Sequence, residues 1–173
     1  LLSKYPDIKF IDNPLYSTTN NISSAVAACS HFSNAYVFES DLLLTNADLV
    51  TPFQYRSNYL GIKVDSTDDW RFITDGSGRI VDLAKGDSGP CWQMVGLSYW
   101  THEDGESLAC DIPLVFEQDG GQQIFWDDVA ILHKPNKYAI DVRPCMQDDI
   151  IEIDDFEDLQ IVDPSYVVKK KAH

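Results

Sequence analysis

The chain has 173 residues, 44% of them hydrophobic and 12% aromatic, which suits one globular domain with a sizeable core and excludes a disordered chain. Its formal net charge of −15, from 28 acids against 13 bases, argues against binding nucleic acid or anionic lipid and leaves any phosphate-handling site short of Lys and Arg. The four cysteines form no CxxC pair, so a zinc site is not expected, and no leader peptide or membrane-spanning run is visible; the expectation is a cytoplasmic protein with reduced thiols and no membrane insertion.

The chain opens on LLSKYPDIKFIDN without an initiator Met and reads like the middle of a domain, so its own amino terminus is expected to be missing. Ile8–Ile11 alternates weakly and predicts a short strand, broken by Asn13-Pro14 and a polar loop over Tyr16–Asn20. Asn21 or Ser23 then offers an N-cap for a helix over Ile22–His31, with Ile22, Val26 and Cys29 on one face.

Asn34–Asn46 (NAYVFESDLLLTN) is the stretch around which the rest is organised. Ala35–Glu39 is apolar, aromatic and β-branched, hence a short buried strand, and it runs into Glu39-Ser40-Asp41. In an open α/β sheet, ligands bind just beyond the carboxyl ends of strands, where a carboxylate can hold a divalent cation against a phosphate chain. Asp41 therefore marks either a metal site or a plain turn after a core strand.

Asn46–Pro52 predicts a turn with a short helical piece that Asp48 can cap. Strands are expected at Tyr59–Val64 and Trp70–Thr74, joined by the acidic loop Asp65–Asp69. Asp75-Gly76-Ser77-Gly78 is a hairpin turn, followed by strands at Arg79–Lys85 and Gln93–Tyr99. Thr101, with Asp104 three residues on, is a capping box in form and starts a helix to about Phe116, which Pro113 can interrupt and Gly120-Gly121 closes. Gln123–His133, holding Trp126-Asp127-Asp128, predicts a short helix. Tyr138–Arg143 and Ile151–Ile153 predict strands, and Asp154 caps a last helix. Residues 1–166 make one domain and 167–173 a tail or linker. Alternating strand and helix with a β-hairpin insertion argues for α/β with a mixed sheet.

Gly86–Pro90 reads GDSGP, one glycine short of the GDSGGP around the nucleophile of chymotrypsin-like serine proteases, and His31, Asp41 and Ser88 fall in the chain order of that triad. Too few residues separate His31 from Ser88 for the strands a double barrel places there. The acidic, partly helical stretch after Ser88 is also foreign to that fold. A turn of Gly, Asp and Ser between two strands accounts for the motif better, and the protease stays as an alternative of another reaction class.

Five stretches, NPLYSTTNNISSAVAA, NAYVFESDLLL, DDWRF, MVGLSYWTHEDGESLACDI and FWDDV, together with the closing IIEIDDFEDL, resemble the CTP:phosphocholine cytidylyltransferase family in content and spacing over nearly the whole chain. The resemblance implies a Rossmann-like, GT-A-like nucleotidyltransferase fold. It also implies Mg²⁺-dependent transfer of CMP from CTP to phosphocholine or a similar aminoalkyl phosphate, with release of pyrophosphate and formation of CDP-choline. The chain departs from the pattern at the front, where the glycine-rich nucleotide loop of these enzymes has no counterpart. By resemblance, Asp41 and Asp127 are the Mg²⁺ ligands and catalytic acids, with adjacent Asp128 able to exchange roles with Asp127. A helix start with acids favoured by the dipole also accounts for the Trp-Asp-Asp run.

The acceptor carries an ammonium, and such cations sit over aromatic faces for ~0.5–2 kcal/mol each. Trp70, Tyr99, Trp100 and Trp126 are the candidate rings, with Asp69 as a counter-charge. Asn20 and Asn21 hold the position that faces the nucleotide and substrate cleft in the family, although capping alone explains Asn21. Three alternatives stand beside the main reading: an enzyme for 2-aminoethylphosphonate, a non-catalytic nucleotide- or choline-binding module, and the protease. An unmethylated ammonium needs carboxylate hydrogen bonds more than an aromatic cage, so the number of rings around the pocket discriminates the first of these. A fused or partner choline-kinase-like domain is also compatible with the Lys-rich tail.

Overall fold

The computed structural model describes residues 3–87 and 89–166; Ser88 and the tail expected over 167–173 lie outside the described residues. Among the described residues, eight strands and three α-helices follow one another: α1 (Ile22–Ala28), β1 (Ala35–Phe38), β2 (Leu42–Leu44), β3 (Asn58–Val64), β4 (Thr67–Thr74), β5 (Ile80–Asp87), β6 (Cys91–Trp100), α2 (His102–Phe116), β7 (Asp141–Cys145), β8 (Ile150–Glu152) and α3 (Phe156–Val162). Six of the strands form one sheet in the order β5-β4-β6-β3-β7, with β1 also on β6, and β2 pairs with β8 in a separate two-stranded ladder. Among the described residues only the β3–β7 pair is parallel, so the sheet is mixed, as the alternation of elements predicts.

The long strand β6 carries the arrangement that matters. One of its edges takes β3 along most of its length, from Tyr99 opposite Asn58 to Cys91 opposite Val64. Its other edge is shared: β4 pairs only at Trp92 and Gln93, and β1 only from Leu97 to Trp100. Between them Met94–Gly96 lies where β1 and β4 part, and the sheet opens there.

Successive strand residues point to opposite faces. The even members of β6 (Trp92, Met94, Trp100) join the core under α1 and α2, together with Tyr59, Phe72, Leu108, Ile112 and Val129. The odd ones, Val95 and Leu97, join a smaller core with Leu60, Ile62, Cys145 and Ile150. In the first core Trp100 meets Tyr59, Trp126 and Tyr138 with ring centroids 5.8–6.0 Å apart, two of the contacts edge to face and one close to it.

Local expectations and structure differ at several points. Ile8–Ile11 forms no strand. The short helical piece is Ala47–Leu49, capped by Asn46 through its Oδ1 rather than by Asp48. In the hairpin turn Asp75 Oδ1 accepts from the backbone N–H groups of Ser77 and Arg79, and the positive φ falls on Gly78 rather than Gly76. The hairpin tip then hydrogen-bonds across to the start of β7, Ile80 N to Ile140 O and Val142 N to Gly78 O. Thr101 Oγ1 caps α2 as predicted, and the helix continues through Pro113 to Phe116. Gln123–His133 is not one α-helix; a 3₁₀ turn at Gly121–Gln123 precedes a π-helix over Val129–His133. The last helix is capped by Asp155, whose carboxylate accepts from Asp158 N, and not by Asp154.

Candidate active site

The opening between β1 and β4 is a cavity of about 160 Å³. Its floor is Met94 and Gly96 of β6. Glu39 enters from the end of β1, Asp69 and Trp70 from β4, Phe125, Asp127 and Asp128 from the turn before the π-helix, and Glu152 from β8; Asn21 closes the side toward α1. Five of these residues are carboxylates and none is basic. A larger groove of about 540 Å³ adjoins it, lined by α1, by Trp126 and by Glu39-Ser40-Asp41, and the two spaces share Asn21 and Glu39.

Asp127 is held rigidly. It is 5% exposed, and the Tyr59 hydroxyl donates to its Oδ1 at 2.6 Å from beneath. Burial, reinforced by the charges of Glu39 and Asp128 and opposed by the Tyr59 hydrogen bond, lifts its carboxyl to about 7. Glu152 is also raised to about 7, by partial desolvation first and then by Asp154, Asp69, Asp41 and Glu39. Glu39 and Asp128 are raised as well, each chiefly by desolvation. A cavity in which these four carboxyls resist ionisation is one that awaits positive charge.

The sequence-derived residues divide by strand alternation and by local turns. Asn21, Trp70 and Asp127 meet in the cavity, and Asn21, Asp41 and Trp126 in the adjoining groove. Trp70 stands edge-on to Phe125 with centroids 6.1 Å apart, and Lys85 Nζ lies 5.9 Å from its ring centre. Asn21 makes no side-chain cap to its own helix; its Oδ1 accepts from Trp126 N at 2.9 Å and so ties α1 to the Trp-Asp-Asp turn. Asn20 also serves that turn, donating from Nδ2 to Gln123 O at 3.1 Å, and it lines neither space.

Tyr99 and Trp100 are consecutive strand residues and cannot share a face. Tyr99 points away from the cavity and donates to Asn34 Oδ1 at 2.5 Å, whereas Trp100 is closed to solvent, with its Nε1 donating to Ser98 Oγ. Neither lines the cavity or the adjoining groove. Glu152, Phe125, Tyr59 and Gly96 were not singled out from sequence, and Glu39 was read only as a strand end. The acidic run around Glu152 carries no mark of which face or partner each residue meets.

A mixed sheet packed under α1 and α2 and opening at one seam is a Rossmann-like α/β frame. The solved CTP:phosphocholine cytidylyltransferase of Streptococcus pneumoniae shares it, with a TM-score of 0.78 at 21% identity over 95% of this chain and 71% of that one. No protein-family model matches the chain. In sequence it is 35% identical to the 2-aminoethylphosphonate cytidylyltransferase of Lancefieldella rimae over 170 residues, covering 96% of this chain and 68% of that protein. It is 25% identical to the choline-phosphate cytidylyltransferase of Haemophilus influenzae over 168 residues, 91% of this chain and 67% of that protein. The chain belongs to this cytidylyltransferase family and is a nucleotidyltransferase.

Proposed function

We propose that the protein transfers the cytidylyl group of CTP to an aminoalkyl phosphonate or phosphate whose head is a primary ammonium, with 2-aminoethylphosphonate as the favoured acceptor. The observation that carries this reading is the cavity itself: five carboxylates, two rings and no base around one small space. A primary ammonium offers three N–H donors and suits acids; a trimethylammonium offers none and needs apolar faces. Phosphocholine is the second reading, favoured by the edge-on pair of Trp70 and Phe125.

In this reading the ammonium enters the cavity, and the acceptor's anionic oxygens point toward the groove lined by Ser24 and Asp41. An acceptor oxygen attacks the α-phosphorus of CTP; the new O–P bond forms as the bond to the pyrophosphate oxygen breaks, without a covalent enzyme intermediate. Asp41 and Asp127 would hold Mg²⁺. The donor set fits: both offer hard oxygens, Tyr59 occupies only Oδ1 of Asp127, and Asp41 is exposed at the groove. Mg²⁺ takes only one or two protein carboxylates and fills its octahedron with phosphate oxygens and water. When bound, it would supply neutralisation of the phosphate charge. Tyr59 keeps the Asp127 carboxylate in one orientation, and Asn21 fixes the turn that presents it.

Pyrophosphate release by the complete open reading frame is the test, crossing CTP, UTP and ATP with 2-aminoethylphosphonate, phosphoethanolamine and phosphocholine in the presence of Mg²⁺. Release with CTP and 2-aminoethylphosphonate is expected, reduced at least ~100-fold in Asp41→Asn and in Asp127→Asn. Folded protein that releases none with any pair overturns the reading in favour of a binding module.

A further inference from the structure

Glu39 is the carboxylate that both spaces share, and nothing in the fold requires it. Its backbone N–H donates to Gly96 O at 2.9 Å, which carries the β1–β6 ladder one residue beyond the strand. Its side chain then lies flat over Gly96, and a Cβ built on that glycine collides with the carboxylate group. Gly96 has no positive φ, so the glycine is there for the room it leaves and not for its backbone. The Glu39 carboxylate accepts no hydrogen bond and forms no ion pair among the described residues, although it is partly buried beside Asp69, Asp127 and Glu152. Such a group is costly unless a bound cation faces it.

We propose that Glu39, seated over Gly96, is the specificity-determining carboxylate of the acceptor cavity: it accepts an N–H from a primary ammonium, a bond that a trimethylammonium cannot give. The inference rests on the functional reading above and names the residue through which the cavity discriminates. Trp70 and Phe125 hold the methylene stem, and Glu39 reads the head. The reach of a glutamate matters, because an aspartate over the same glycine ends one methylene short. Gly96→Ala moves the same group without touching it, since a flexible side-chain end can swing away from the new methyl where a backbone atom could not.

The experiment compares wild type, Glu39→Gln, Glu39→Asp and Gly96→Ala with 2-aminoethylphosphonate and phosphocholine. All three variants are expected to lose ~10- to 100-fold in kcat/KM for the primary ammonium, mostly through KM, and less than ~3-fold for phosphocholine, with KM for CTP unchanged. Equal loss for both acceptors, a raised KM for CTP, or no loss at all overturns the proposal. A binding arm separates it from the reaction: intrinsic tryptophan fluorescence reports acceptor binding without CTP. If wild type turns over no acceptor yet binds 2-aminoethylphosphonate more tightly than Glu39→Gln does, the functional reading fails and the role of Glu39 stands. Absence of acceptor binding to wild type, or equal binding by the variant, removes it.

Discussion

Asp127 and Glu152 hold protons at pH values where an ordinary carboxyl has lost them, and that has a consequence for stability. Each is lifted to about 7 in the folded chain from ordinary values of 3.8 and 4.5. The folded state therefore binds more protons than the unfolded state between about pH 4 and pH 7, so stability falls as pH rises through that window. Asp75, Asp149 and Asp163 shift the other way, but their effect is confined to pH below their ordinary value of 3.8. Metal-free protein is thus expected to melt several degrees higher at pH 5.5 than at pH 8, and Asp127→Asn to shrink the difference. A melting temperature that climbs with pH over this range would contradict it. Two tryptophans separate packing from binding. Trp100 is closed to solvent, so Trp100→Ala should cost about 3–5 kcal/mol in chemical denaturation. Trp70→Ala should leave stability within about 1 kcal/mol while raising KM for the acceptor ~10-fold, because Lys85 and Phe125 are its nearest ring partners and the cavity is its open side.

α2 shows what one element demands of its neighbours. Gly105 packs against the chain at Phe32–Ser33, where an added Cβ would meet Ser33 Cα at 2.5 Å and the Phe32 backbone as well. At an exposed helix position Gly→Ala stabilises by about 1 kcal/mol. Here the obstacle is backbone that cannot swing aside, so Gly105→Ala is expected to destabilise by about 1–3 kcal/mol, and an increase in stability on urea unfolding would refute the packing argument. The helix itself was legible: Thr101 and Asp104 mark its start, and Leu108, Ile112 and Val115 repeat at helical spacing. The stretch after Phe125 was not, because the i→i+5 pairing of a π-helix, and the wider turn it makes, is not written in residue type. The site divides in the same way. Asp127, Trp70 and Asn21 sit in local motifs that survive as strings of letters. Glu39 over Gly96 is a cross-strand pairing between distant segments, and Glu152 enters only because β8 lies against β2, with Glu152 opposite Leu42. Register of that kind is fixed by tertiary packing and cannot be read along one strand.

Across the whole molecule the charges are badly matched, and this too has a measurable outcome. The chain carries 28 acids and 13 bases. The ion pairs among the described residues use few of the acids, and Asp111 alone engages two lysines, Lys137 at 2.6 Å and Lys134 at 4.0 Å. That buried aspartate, also bonded by the Tyr138 hydroxyl, anchors α2 to the segment before β7 and is shielded from added salt. Most remaining acids face water or the cleft, where, on top of desolvation, the charges of Asp69 and Glu39 push up the carboxyl of Glu152 and that of Asp69 pushes up Glu39. Two opposing effects of salt follow: screening weakens exposed attractive pairs such as Arg56–Asp141, and it relieves the excess repulsion. With so large an imbalance the second should dominate, so raising NaCl from about 10 to about 300 mM, which shortens the Debye length from roughly 30 Å to below 10 Å, is expected to raise the melting temperature at pH 8. The gain should be smaller at pH 5.5, where Asp127 and Glu152 are already largely protonated. A melting temperature that falls with salt would mean that attractive pairs outweigh the repulsion. A gain of equal size at both pH values would mean that the repulsion relieved lies on the outer surface and not in the cleft.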